Sequence, residues 1–146
     1  MKRRVLVLLA LLGVMPAALA LDFRSIEVPA AILYDSPSQK GKKLYLIRGQ
    51  TPVEVVVRVE GWLKVRDAEG TLAWTEARNL GERRTLIVTA PSAEIRPCDK
   101  TDAPAVAVLD KGVVVDFVEP ASPGWARIRH RDGTTGCVRG TQVWGL

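Results

Sequence analysis

The sequence predicts an all-β protein made of two small barrels or sandwiches in tandem. Three observations carry that expectation. One pattern of about fifty residues is written twice, at an offset of 63 positions. Short β-branched or alternating runs are separated by turn-forming residues at close intervals. No convincing amphipathic helix follows residue 20. The bulk composition agrees: 146 residues with 47% apolar and 25% charged side chains exclude a collagen-like, mucin-like or disordered chain.

The N-terminus reads as an address. Lys2, Arg3 and Arg4 form a positive region, Val5 to Met15 an apolar one, and Ala18-Leu19-Ala20 a small-residue cleavage site. That layout predicts a secretory signal peptide over 1–20, cleaved after Ala20, and a periplasmic or secreted product. Gly13 and Pro16 interrupt the apolar run, which is short against the ~20 residues of a membrane span. A retained N-terminal anchor is the alternative; after cleavage no membrane association is expected. No acidic residue lies in this segment, so its removal leaves 18 basic against 16 acidic residues, a net charge of +2 rather than +5. The nucleic-acid reading thereby loses its support.

The repeat sets the organisation. Gly61-Trp62-Leu63-Lys64-Val65-Arg66 lies over Gly124-Trp125-Ala126-Arg127-Ile128-Arg129, and Gly70-Thr71 over Gly133-Thr134. The same ungapped offset pairs Ile32 with Ile95, Leu46 with Leu109, Gly49 with Gly112 and Val55 with Val118. The expected division is a first domain over 21–80, a linker and lead-in strand over 81–92, and a second domain over 93–146. Val53–Val59 and Gly112–Val118 are β-branched runs. Leu63–Arg66 and Ala126–Arg129 alternate with the period of a half-buried strand. Ser36-Pro37-Ser38, Glu60-Gly61, Asp110-Lys111-Gly112 and Ser122-Pro123-Gly124 supply turns.

The run Gly-Trp-x-(Lys/Arg)-(Val/Ile)-Arg, followed by a Gly and an aromatic strand and preceded by a Gly-led β-branched strand, resembles the bacterial SH3 domain. It does so twice, over nearly the whole chain after residue 20. The resemblance implies two SH3-like barrels of five to seven strands each. It also implies a non-catalytic binding module, often tied to the cell wall or to envelope proteins. The first copy closes its motif with Ala73-Trp74, where the family usually has Gly-Trp; the second has Gly136-Cys137.

Strand alternation sorts the motif residues. Leu63 and Val65 face one way; Trp62, Lys64 and Arg66 face the other. Trp125, Arg127 and Arg129 stand likewise opposite Ala126 and Ile128. A large aromatic on a polar face needs a reason. By resemblance, Trp62 and Trp125 match the groove tryptophan that grips extended peptides, and Tyr34 matches a groove-lining tyrosine whose counterpart is Pro97. Such a face offers an apolar wall and donors for a carboxylate, which suits peptidoglycan stem peptides. The competing reading has both tryptophans packing against their own loops or between the units. Trp74 is expected in the core, and Trp144 over the second barrel or a neighbour's edge.

Export to an oxidising compartment, with two cysteines in one copy, favours a Cys98–Cys137 bridge. Two reduced buried thiols, or intermolecular pairing, are the alternatives. One histidine and two cysteines make a zinc centre improbable, and no cofactor is implied. His130, in a charged turn, reads as solvated, and no nucleophile–base pair, phosphate loop or catalytic residue is evident. The expectation is a binding protein for peptidoglycan or peptides. A partner that docks onto another envelope protein is the alternative, and a small cell-wall hydrolase a remote one.

Overall fold

The computed structural model describes residues 20–146, so the predicted signal peptide lies, but for Ala20, outside the described residues. The chain is all-β. The first unit is a seven-stranded antiparallel sheet built from β1 (Phe23–Ile26), β2 (Ala30–Tyr34), β3 (Lys43–Arg48), β4 (Pro52–Val59), β5 (Trp62–Arg66), β6 (Leu72–Glu76) and β7 (Leu80–Gly81). Their spatial order is β3-β2-β6-β5-β4-β1-β7. The second unit comprises β8 (Thr85–Val88), β9 (Ser92–Ile95), β10 (Ala107–Asp110), β11 (Val114–Pro120), β12 (Trp125–Arg129), β13 (Thr135–Arg139) and β14 (Val143–Trp144). Here the order is β13-β12-β11-β8-β14, with β10-β9 as a separate ribbon tied to β13 by a bridge between Arg96 and Cys137. Single 3-10 turns at Ala77–Asn79 and Gly140–Gln142 lead into the last short strand of each unit.

Each unit has its own core, because alternation gives each strand one aliphatic face. Ile26, Ala31, Leu33, Ile47, Val53, Leu63 and Val65 fill the first. Val88, Ala93, Ile95, Leu109, Val115, Ala126 and Ile128 fill the second. Read pairwise, these lists correct the repeat. Up to Val53/Val115 the mates lie 62 apart; only from Leu63/Ala126 onward is the offset 63. The difference is one residue in one hairpin. Glu60-Gly61 turns the first chain between Val59 and its partner Trp62. Ser122-Pro123-Gly124 turns the second, between Ala121 and Trp125. An added residue in an exposed turn costs little, whereas a one-residue slip within a strand would expose the whole core face. Ile95 therefore matches Leu33 rather than Ile32, Leu109 matches Ile47, and Arg96 rather than Pro97 takes the place of Tyr34. Cys98 corresponds to Ser36.

The units share a junction. Ser25 donates to Thr85 Oγ1 at 2.7 Å, and Thr85 donates to the Gln50 carbonyl at 2.7 Å, which places a buried hydroxyl pair between the two first strands. The Arg84 guanidinium lies 5.5 Å from the Phe23 ring and 5.4 Å from the Phe117 ring, so it bridges an aromatic of each unit. Trp144 meets Phe23 edge-on at 4.9 Å, reaching the neighbouring unit rather than capping its own. A cleft of about 470 Å³ opens along the junction, lined by Arg48, Gln50, Lys111, His130 and Arg131 among others.

Candidate functional site

The expected outward face exists in the first unit, and it is richer than the sequence reading. Gly61, at φ 75°, turns the hairpin so that Trp62 opens β5. Leu63 and Val65 go to the core, leaving Trp62, Lys64 and Arg66 half-buried on the other side. On β6 the small residues Ala73 and Thr75 are buried, and Trp74 joins Trp62 and Lys64 outside. This corrects the expectation that Trp74 belongs to the core. Tyr34, Trp74, Lys64 and Val57 are neighbours in one cross-strand row.

Contacts give each member a role. Tyr34 is only 6% exposed and meets Trp62 edge-on at 5.5 Å, so it is a buttress beneath the indole rather than an open wall. Lys64 Nζ lies 5.9 Å from the centre of the Trp74 ring. Arg66 is tied to Glu54 at 2.8 Å. Among the described residues Lys64 makes no ion pair, so it is the cation of this face left to meet an anion. Glu76 is engaged by Gln39 at 3.0 Å and by Arg78 at 2.8 Å. Below the face, Tyr45 donates to Asp67 at 2.7 Å, while Asp67 accepts from the Glu69 and Thr71 amides. Burial, and then that hydrogen bond, push the Tyr45 hydroxyl well above its ordinary range. The β5–β6 turn is thereby pinned to β3.

The second unit does not rebuild this face. The row that reads Tyr34, Trp74, Lys64 becomes Arg96, Cys137, Arg127. Cys137 is fully buried in a disulfide with Cys98, and closes a loop of sequence separation 39. Arg96 is half-buried, paired with Glu94 and donating to the carbonyls of Thr101 and Ala103, so its head is consumed internally. Arg127 pairs with Glu119 at 2.9 Å. Trp125 points outward as expected, but the Arg139 guanidinium covers it at 4.8 Å. Its free edge lines a different cavity, of about 420 Å³, with Arg84, Phe117, Pro120 and Leu146. Arg129 is exposed and without an ion pair among the described residues, at the mouth of a cleft shared with Arg83, His130 and Arg131. His130 is not the solvated turn residue expected. Its side chain is 16% exposed, with Nδ1 2.9 Å from Asp132 Oδ1.

No cluster of three or more metal-ligating side chains occurs among the described residues, and no helix among them is long and apolar enough to cross a membrane. The bacterial SH3 domain model matches residues 27–82 and again 92–145. No curated protein matches the chain. Three solved structures resemble it at 15% identity: NlpC2 and NlpC1 from Trichomonas vaginalis, and an NlpC/P60 family protein from Bacillus cereus. The alignments cover 85%, 88% and 84% of this chain, and 48%, 47% and 56% of theirs, with TM-scores of 0.40, 0.41 and 0.40. The chain thus spans about half the length of these proteins.

Proposed function

We propose, from the premise that this chain belongs to the bacterial SH3 domain family in both of its units, that it is an exported, non-catalytic module of the cell envelope. Its first unit recognises carboxylate-bearing extended peptides, of which peptidoglycan stem peptides are the preferred example. The observation that carries the reading is the outward pair Trp62 and Trp74, with the Lys64 ammonium 5.9 Å from the Trp74 ring. Two indoles give a rigid apolar wall at low entropic cost, and an unpaired ammonium beside them meets a carboxylate. Arg66, paired with Glu54, is a less available cation than Lys64. Trp125, Arg127 and Arg129 contribute less, because Arg139 and Glu119 occupy the first two. The N-terminal signal pattern and the disulfide support a periplasmic or secreted placement.

Co-sedimentation with purified sacculi tests it. Wild type is expected in the pellet, Trp62→Ala and Lys64→Ala in the supernatant, and Trp125→Ala largely in the pellet. Wild type left in the supernatant overturns the wall-binding reading.

A further inference from the structure

We propose that copies of this chain join through strand pairing, β3 of one copy against β10 of another. The inference is independent of the ligand face described above. β3 ends the order of the first sheet, and β10 ends the two-stranded ribbon of the second unit. Each presents a backbone edge without a strand partner among the described residues, the usual template for pairing with another chain. β3, and the segment that runs into β10, also carry an exposed aliphatic pair at matching repeat positions, Val106 lying just before β10. Leu44 and Leu46 are 41% and 69% exposed; Val106 and Val108 are 56% and 60% exposed. A lone exposed aliphatic is ordinary, but the same pair on the same edge of both units is a pattern.

The charges around the two stripes differ in sign. In the first unit the exposed residues along this edge are Lys42, Lys43, Leu44, Leu46 and Arg48, with a bulge between Lys43 and Tyr45 and with Lys40 beside them. In the second the exposed residues are Val106, just before β10, then Val108 and Asp110, with Asp99 and Asp102 against Lys100 and Lys111. Lys40 and Arg48 hold the repeat positions of Asp102 and Asp110. Lys42, Arg48, Asp102 and Asp110 make no ion pair among the described residues. The first edge is basic and the second acidic on balance, so the two edges are complementary. That pattern selects a β3–β10 contact and disfavours β3–β3 and β10–β10. An antiparallel contact brings the Leu46 end of one stripe beside Val106, the Lys42–Lys43 end of β3 to Asp110, and Asp102 towards Arg48. One such contact leaves one edge of each kind free, so assembly grows head to tail unless two copies exchange both contacts and close.

Sedimentation or light-scattering mass against protein concentration tests the proposal. Wild type is expected to gain mass with concentration. Lys42→Asp and Asp110→Lys each place like charges across the seam, and are expected to raise the midpoint concentration roughly tenfold. Their equimolar mixture restores opposite charge in both kinds of β3–β10 contact between unlike copies and is expected to associate again. Leu46→Asp, on the exposed face, abolishes association in the mixture as well. Circular dichroism melts that match wild type establish that each variant is folded. A wild type that stays monomeric to several hundred micromolar overturns the proposal. So does a mixture no better associated than its parts.

Discussion

Gln50 has φ 67°, and among the described residues it is the one non-glycine in the left-handed region. Its mate across the repeat is Gly112, at φ 86°. The sequence pairs Gly49 with Gly112 by identity, but the amide of Gly49 bonds Pro29 as Lys111 bonds Pro91, and Gln50 bonds Ile26 as Gly112 bonds Val88. The shared glycine is therefore a coincidence of a slipped alignment. A left-handed glutamine costs about 1–2 kcal/mol, partly recovered on mutation because glycine loosens the unfolded chain. Gln50→Gly is expected to stabilise by ~0.5–1 kcal/mol, and Gly112→Ala to destabilise by ~1 kcal/mol, both read from urea midpoints. Asp132 supplies a pH test at the same scale. The Thr134 amide, and then His130, hold its carboxyl at about 2, below the ordinary 3.8. A depressed folded value gives stability above the unfolded value, lost as pH falls through the folded one. The deficit of Asp132→Ala relative to wild type should be full above pH ~4 and close by pH ~2. Trp74 shows what one sequence hides. Tryptophan is highly buried on average, which points Trp74 to the core, whereas Ala73 and Thr75 take the buried positions on either side of it. Parity with Leu72 and Glu76 was the available signal for its outward direction.

Strands were the legible elements; their registers were legible only in part. Leu63-Lys64-Val65-Arg66 fixes its own two faces by alternation, and the core composition of both units follows from such runs. The hairpins were not legible to the residue, because a turn accepts Pro123 without disturbing either flanking strand. Element exchange is clearest at β13, where a disulfide replaces an indole. The chain-entropy model gives a closure of this length roughly 3–4 kcal/mol. Reduction, or Cys98→Ser with Cys137→Ser, is expected to lower second-unit stability by about that amount and to leave the Trp62 face untouched. Thermal melts with and without reductant, followed at the sacculus-binding step, separate the two effects. An unchanged melting temperature would contradict the assigned role of the bridge.

At the scale of the molecule, the junction decides whether the units unfold together. Phe23, Arg84 and Phe117 form one stack, Trp144 joins it, and Ser25–Thr85 is buried beside them. Arg84→Ala removes the bridge between the two aromatics and frees the Gly145 carbonyl, which Arg84 Nη2 meets at 2.7 Å. The expected outcome is two separable calorimetric transitions in place of one, with a loss of ~1–2 kcal/mol at the junction. Repeat duplication was legible from the chain; this docking was not, since Phe117 stands where the first unit has Val55 and Thr85 where it has Phe23, so the repeat gives no sign that these residues meet. The unequal outer surfaces have a quantitative corollary. A chain with two family domains invites the assumption of two equivalents of ligand. Yet the position of Trp74 is filled by a buried half-cystine in the other copy, so a calorimetric titration with a soluble stem peptide should saturate at one molecule per polypeptide.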